Sequence, residues 1–416
     1  MTNYLNKFAI LIAVLFILNT KCQAQSRIAL NGYITDSLTS EPLAFATIGI
    51  KDSPIATISN LEGSFVFHVP LSHQNDTLLI STLGYATKRL SIADVRNKDF
   101  FEIKLTQQEE ILDAIVIRDT LSAEEIMKLA VERIPINHAN FPISMQAFYR
   151  ETQEVDSSYV SLLEAALTIY DENDLKRYKS PLRTRIRIDQ LRRSFGYTHV
   201  HNDWWDDNNL LMAAYGQNPI PYDFKALKKG QYKRGDNTTL NDKLVYVING
   251  IADNSYWPET YYIESESYAF VKIEEVYDIK ADNAKVWEFT NKGQKVAAKF
   301  TDRKLIMDFR KYQDRYYLSS FTFNAAHVYV VDGEPDTHFR IKQDILINDI
   351  EIERPSKVAR NEATRLNRTL QDNKYTFDEA FWESYNMVQE TPLEKRLIDD
   401  LQKEAALKEQ FRMSKE

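Results

Sequence analysis

From residue 144 to about residue 350 the chain is aromatic-rich and strand-like, and its clearest runs follow one another closely from residue 243 onward. The clearest runs cover residues 243–249, 260–263, 268–277, 285–290, 295–301, 304–311, 316–331 and 337–349. Parallel neighbours need a connection of a dozen or more residues, and the gaps here are shorter. Consecutive strands joined by short turns form an antiparallel meander instead of alternating βαβ units. Asp332-Gly333, between the last two runs, is a hairpin-turn dipeptide. The fold class that follows is mostly β, with a large antiparallel sheet or half-barrel as its main body.

A second β region precedes it. Residues 29–35, 45–50, 64–69, 77–82, 86–92 and 100–105 are short candidate strands separated by turn signals. Phe65, Phe67 and Val69 alternate with Ser64, Val66 and His68, the period-two pattern of a half-buried strand. Asn60-Leu61-Glu62-Gly63 is a turn into that strand, and Gly63 supplies a backbone angle that other residues resist.

Four pieces then occur in order: Gly32-Tyr33-Ile34-Thr35-Asp36, Glu41-Pro42-Leu43 running into Ala46-Thr47-Ile48, Glu62-Gly63-Ser64-Phe65, and Ile80-Ser81-Thr82-Leu83-Gly84-Tyr85. The series resembles the carboxypeptidase-regulatory-like domain, which implies a seven-stranded β-sandwich of the transthyretin type. It is similar to the N-terminal extension of many TonB-dependent outer-membrane receptors. Leu112-Asp113-Ala114-Ile115-Val116-Ile117 resembles the apolar segment that follows the domain in those receptors, which usually carries a glutamate where this chain has Ala114. The arrangement of the larger sheet resembles the half-barrel lipoprotein carriers (LolA-like), in topology alone.

Helical signals flank the main sheet. Ser122 and Glu125 have capping-box spacing, Ile126, Leu129, Ala130 and Ile134 share one face, and Pro135 is expected to end the helix. Thr391, Pro392 and Glu394 start another, whose stripe is Leu393, Leu397, Leu401 and Ala405. That stripe either packs on the sheet or docks a partner. Phe381, Trp382 and Tyr385 are expected to staple the C-terminal segment down. The expected organisation is a signal segment over residues 1–24, the sandwich over 25–107, a linker with one helix over 108–143, the antiparallel β domain over 144–352, and a C-terminal segment over 353–416.

The signal-segment reading rests on Lys7, the apolar run from Phe8 to Leu18, and small side chains at Cys22 and Ala24, which place a cut before Gln25. The run is too short for a transmembrane helix, which needs about 20 residues. Lipidation at Cys22 is the alternative, but Asn19-Thr20-Lys21 is unlike a lipoprotein signal. Cleavage removes the only cysteine, and with it any disulfide, thiolate ligand or cysteine nucleophile. A net charge of −8 gives no general attraction to nucleic acid or anionic lipid. The expected location is the periplasm, outer membrane or cell surface of a Gram-negative bacterium, with no transmembrane span in the mature chain.

Signs of catalysis are few. Zinc carboxypeptidases use a His-x-x-Glu pair, yet none of His68, His73, His138, His199, His201, His327 and His338 has a glutamate three residues later. No Gly-x-Ser-x-Gly elbow or phosphate-binding loop occurs. His199 and His201, two apart on a strand, would point the same way with Asp203 nearby, a candidate metal site. Arg183, Arg185 and Arg187 alternate with Thr184, Ile186 and Ile188, so a strand would present three guanidiniums on one face. Such forks suit carboxylate or phosphate, and the face is a candidate anion site or a solvated one. The expectation is a non-catalytic, exported cell-envelope protein without a cofactor, which binds an envelope protein, glycan or lipid. A lipid or lipoprotein carrier and a hydrolase centred on His199 and His201 are the alternatives.

Overall fold

The structure, a computed structural model, describes residues 27–108, 121–172, 184–195, 224–252, 258–277, 286–291, 294–331, 335–364, 370, 377–388, 392–403 and 405–413. The expected signal segment, the Leu112-to-Ile117 segment, the Asp332-Gly333 turn and Thr391 lie outside the described residues.

Seven strands build the N-terminal unit: β1 (Arg27–Asp36), β2 (Thr47–Ile50), β3 (Ala56–Ile58), β4 (Ser64–Pro70), β5 (Thr77–Ser81), β6 (Lys88–Ser91) and β7 (Phe101–Leu105). They form two sheets, in the orders β4-β1-β7 and β3-β2-β5-β6. β3 was not among the candidate strands, because three residues are too few to show a period. The alternating side chains of both sheets meet in the core, with Leu30, Ile34, Ile48, Phe65, Phe67, Leu78, Ile80 and Ile103 nearly inaccessible. Gly63 has φ +74, and a Cβ there would run into the carbonyl of Ile34. The short helix α1 (Ile92–Val95) closes one end.

Helix α2 (Ala123–Asn137) carries the expected capping box. Ser122 Oγ accepts from the Glu125 N–H at 3.2 Å, and Glu125 Oε2 accepts from the Ser122 N–H at 2.7 Å. Pro135 does not end it. The missing N–H costs one bond near the C-terminus, but the next turn still closes through His138 N to Ile134 O at 2.9 Å. Arg315 then donates to the carbonyls of Pro135 and His138 at 2.9 and 2.6 Å, satisfying two of the orphan acceptors.

The main sheet runs β10-β9-β8-β19-β18-β17-β15-β14-β13-β11, with β12 paired to β13 and β16 to β17. Its strands are β8 (Ile143–Val155), β9 (Ser158–Asp171), β10 (Arg185–Arg193), β11 (Gln231–Arg234), β12 (Thr238–Leu240), β13 (Lys243–Ile251), β14 (Glu259–Glu264), β15 (Phe270–Tyr277), β16 (Val286–Asn291), β17 (Gln294–Tyr312), β18 (Arg315–Val331) and β19 (Thr337–Glu351). Every recorded pairing within it is antiparallel. β10 and β11 remain separate edges, so the described strands do not close a barrel. The expected strands 295–301 and 304–311 are one strand, β17. Its register shifts between Phe300 and Asp302, and this bulge absorbs the polar stretch that looks like a turn in the sequence.

The register divides the side chains between two faces. Met307, Phe321, Ile345, Tyr149 and Ala165 follow one another across five strands on the inner face. Ile126, Met127, Ala130, Val131 and Ile134 of α2 belong to the same buried cluster. The outer face carries Ile306, Thr322, Asp344, Arg150 and Glu164 in the neighbouring row, and the sandwich and C-terminal segment cover it.

Helix α3 (Phe224–Lys229) precedes β11. In the C-terminal segment, Trp382 of α4 (Glu379–Ser384) meets Phe148 edge-on at 6.4 Å, and Tyr385 Oη donates to the Ala147 carbonyl at 2.9 Å. The expected staple therefore forms. Leu397 and Leu401 of α5 (Pro392–Leu401) pack with Leu162 and with Leu407 and Phe411 of α6 (Leu407–Met413). The expected stripe is cut short, because α5 stops at Leu401 and Ala405 lies beyond it.

The sandwich docks on this surface through specific polar contacts. The Asn386 side chain accepts from the His68 N–H at 2.7 Å and donates to the His68 carbonyl at 3.2 Å, while Asn348 donates to the Asn386 carbonyl at 2.8 Å. Arg310 donates to the Ile347 carbonyl at 2.9 Å and to the Pro54 carbonyl of the sandwich. Gly84 N–H donates to Thr239 O at 2.8 Å, and Arg89 pairs with Asp242 at 3.3 Å. Among the described residues no helix is long and apolar enough to cross a membrane.

Candidate functional site: a cleft where the sandwich, the sheet and the C-terminal helix meet

Side chains alternate across the outer face, so each strand delivers every second residue to one surface. Lys304, Asn324, Lys342 and Thr152 form one cross-strand row, next to the row of Ile306, Thr322, Asp344 and Arg150. The sandwich roofs this floor with Phe45 and Leu61, and α5 walls it with Leu397 beside Tyr159. The cleft, open on one side, has a volume of about 390 Å³. A hollow of about 20 Å³ adjoins it beneath Ile58, Asn60 and Val388.

Arg150 and Arg192 share one buried carboxylate in the floor. Glu164 Oε1 takes Arg150 Nη2 at 2.6 Å, and Glu164 Oε2 takes Arg192 Nε at 2.5 Å. Burial opposes ionisation of Glu164, but the charges of Arg192 and Arg150 and their hydrogen bonds outweigh it and hold the carboxyl below its usual range. Arg192 also lies 4.5 Å from the Trp382 ring centroid and 5.0 Å from that of Phe411, which ties the C-terminal helices to the same ion cluster. Around the rim, Arg340 pairs with Asp302 at 2.9 Å, Lys342 with Asp344 at 2.9 Å, and Arg396 with Glu154 at 3.1 Å. The Lys304 side chain is exposed and makes no hydrogen bond or ion pair among the described residues.

Phe45 sits in the left-handed region at φ 56, where a bulky residue costs about 1–3 kcal/mol. Its N–H donates to Ser59 O at 3.2 Å, and Ser59 Oγ bridges Ala46 N (2.9 Å) and Leu43 O (2.7 Å). This hydroxyl holds the strained turn and keeps the Phe45 ring at the mouth of the cleft.

Two of the three arginines singled out in the sequence are described. Arg185 donates to the Val358 carbonyl at 3.1 Å and pairs with Glu172 at 3.4 Å. Arg187 pairs with Asp189 at 2.6 Å and donates to Thr168 Oγ1 at 3.1 Å. They stand on edge strand β10, separated from the cleft by the Phe148–Ala166 row beneath Trp382. Arg183, His199, His201 and Asp203 lie outside the described residues. Among the described residues no group of three or more His, Cys, Asp or Glu side chains is arranged to hold a metal ion.

The cleft residues themselves were missed. The alternation of Arg340, Lys342 and Asp344 along one strand was a visible signal, but their closeness to Lys304 depends on register. Tyr261 is buried on the inner face, and its hydroxyl donates to Glu259. Glu259 and Glu275 are directly opposed across the β14–β15 pair. Burial raises Glu259 to about 7, and the Glu275 charge adds to the shift, while Glu275 itself pairs with Arg303 at 2.5 Å.

Comparison with known proteins bears mainly on the N-terminal unit. The CarboxypepD_reg-like domain family model matches residues 30–117. The sandwich is thus of the regulatory-like type that its motifs suggest, and the match stops before the main sheet. No curated protein matches the chain. Among solved structures, a putative outer membrane lipoprotein-sorting protein domain from Vibrio parahaemolyticus aligns at TM-score 0.26 and 11% identity, over 59% of this chain and 100% of that one. A DUF1329 family protein from Desulfovibrio piger aligns at TM-score 0.24 and 8% identity, over 55% and 94%. Lipovitellin aligns at TM-score 0.26 and 10% identity, over 59% of this chain and 28% of that one. Likeness at this level carries no functional argument.

Proposed function

We propose that this chain is an exported, non-catalytic binding protein of a Gram-negative cell envelope, and that the cleft between its regulatory-like sandwich and its main sheet is the binding site. The observation that carries the reading is the cleft itself: about 390 Å³ at a domain junction, lined by both apolar and charged side chains. Ligand sites favour such junctions, and this volume falls within their usual range. The strained Phe45 backbone at its mouth is a second mark, since strain of this kind gathers at functional sites. The signal-like first 24 residues support export, and the lack of a His-x-x-Glu pair or serine elbow supports the absence of peptidase activity. A carrier of the half-barrel kind would use the inner face, where α2 packs over the described strands.

The test is capture from envelope extracts with immobilised full-length protein, followed by mass spectrometry and lipid extraction, using wild type and Leu61→Trp side by side. Leu61 is 40% exposed, so the larger ring should fill the cleft without disturbing the core. A species retained by wild type and lost by the variant is the expected result. Equal capture by both proteins would place binding elsewhere.

A further inference from the structure

The cleft has two chemically different sides. Its floor and rim hold Arg150, Lys304, Arg340 and Lys342 against Glu154 and Asp344. Including the partners just outside, Arg192 and Arg396 on one side and Glu164, Asp302 and Asp400 on the other, six cations face five carboxylates. The excess is not spread evenly. Arg340, Lys342 and Arg396 each have a carboxylate of their own, while Arg150 and Arg192 share one and Lys304 has none among the described residues. Lys304 is thus the donor left available, with Asn324 directly across from it and Thr322 on the diagonal in the next row.

The opposite side is apolar. Phe45 and Leu61 come down from the sandwich, Leu397 comes in from α5, and Ile306 adds an apolar end to the second row of the floor. An acidic sugar would leave this surface facing hydroxyls, whereas an alkyl chain would cover it. The volume suits one chain with a small headgroup and is too small for a two-chain phospholipid.

We infer that the cleft takes a single-chain anionic amphiphile, its carboxylate or phosphate on Lys304 and its chain between Phe45, Leu61 and Leu397. This rests on the cleft being the binding site, and the experiment separates the two claims. Four probes are titrated calorimetrically below their micellar concentrations: decyl phosphate, decanoate, uncharged decyl glucoside and inorganic phosphate. Each is run against wild type, Lys304→Met and Leu61→Asp, with a thermal melt of every variant to confirm folding.

Decyl phosphate or decanoate should bind wild type. Lys304→Met, which keeps the aliphatic stem, should weaken that binding about tenfold, the loss expected for one charge-assisted hydrogen bond. Leu61→Asp should weaken it more, and decyl glucoside should bind poorly and be insensitive to Lys304→Met. If decyl glucoside binds as well as the anions and Leu61→Asp weakens it, the anionic class is wrong and the cleft remains the site. If inorganic phosphate matches decyl phosphate, the apolar half of the inference fails and an acidic glycan takes its place. Binding of the anions that neither variant changes, or no binding of any probe, overturns the inference. Loss of envelope capture in Leu61→Trp would still stand for the cleft in that last case.

Discussion

Glu164 and Glu259 are both buried carboxylates, yet they should push stability in opposite directions with pH. Two guanidiniums depress Glu164, so its stabilisation is complete above the ordinary carboxylate value of 4.5 and is lost as pH falls through the depressed folded value. Glu164→Gln removes the compensating charge between Arg150 and Arg192, and breaking such a cluster costs about 3–5 kcal/mol. Urea unfolding at pH 7 should show that loss, and the gap from wild type should narrow below pH 4.5. Glu259 is raised to about 7, so the fold prefers it protonated and wild-type stability falls as pH climbs from 4.5 to about 7. Glu259→Gln should abolish that fall and be the more stable protein at pH 8, by at most about 3 kcal/mol. Unfolding free energies measured at pH 5 and pH 8 check this, and an unchanged pH dependence in the variant would refute it.

Among the elements, α6 has the most to reveal about how the C-terminal segment is held. Phe411 is buried against Leu162, Leu397 and Leu401 and lies under Arg192. Phe411→Ala should cost about 3–5 kcal/mol by lost packing, read as a shift of the urea midpoint. A loss within the range of surface substitutions, about 0.5 kcal/mol, would mean that α6 is not docked in solution. The helix starts were legible because capping boxes and first-turn prolines are local chemistry, as at Ser122 and Pro392. Strand existence was legible through alternation at Phe65, Phe67 and Val69 and through the long run ending at Val331. The bulge at Phe300 was not, since an extra residue looks the same as a turn until the partner strand is known. The cleft was hidden for a related reason. Lys304 and Lys342 are 38 positions apart, and only the pairing of both strands with β18 sets them in one row. The arginine run drew attention because it is dense in sequence, but in the structure Arg185 and Arg187 have local partners in Glu172 and Asp189.

At the scale of the whole molecule, the two β units behave as one body only if their contacts are specific. Asn386, 2% exposed, satisfies both backbone groups of His68 and is itself held by Asn348. Asn386→Ala leaves the half-buried N–H and C=O of His68 unpaired, at about 1 kcal/mol for each group. Wild type should melt calorimetrically in one transition, and the variant should split it, the sandwich and the sheet unfolding separately. A single, merely shifted transition in the variant would show that the apolar contacts alone couple the units.

The pairing of β8 with β19 sets one further condition on the molecule. Nearly every other neighbour in the main sheet is close in sequence, but Ser144 faces Glu351, so the first strand of the domain waits for its last. Closing so long a loop costs little more in free energy than closing one of half the length, about 0.6 kcal/mol. It costs much more in time, because the search for a distant partner slows folding. The linker to the sandwich and the C-terminal segment both leave the sheet at this seam. As the chain emerges during synthesis, β8 is an open edge until β19 appears, and the roof of the cleft cannot settle on its floor before then. A chain that stops short of β19 therefore leaves β8 without its closing neighbour and the sandwich without a completed surface to rest on.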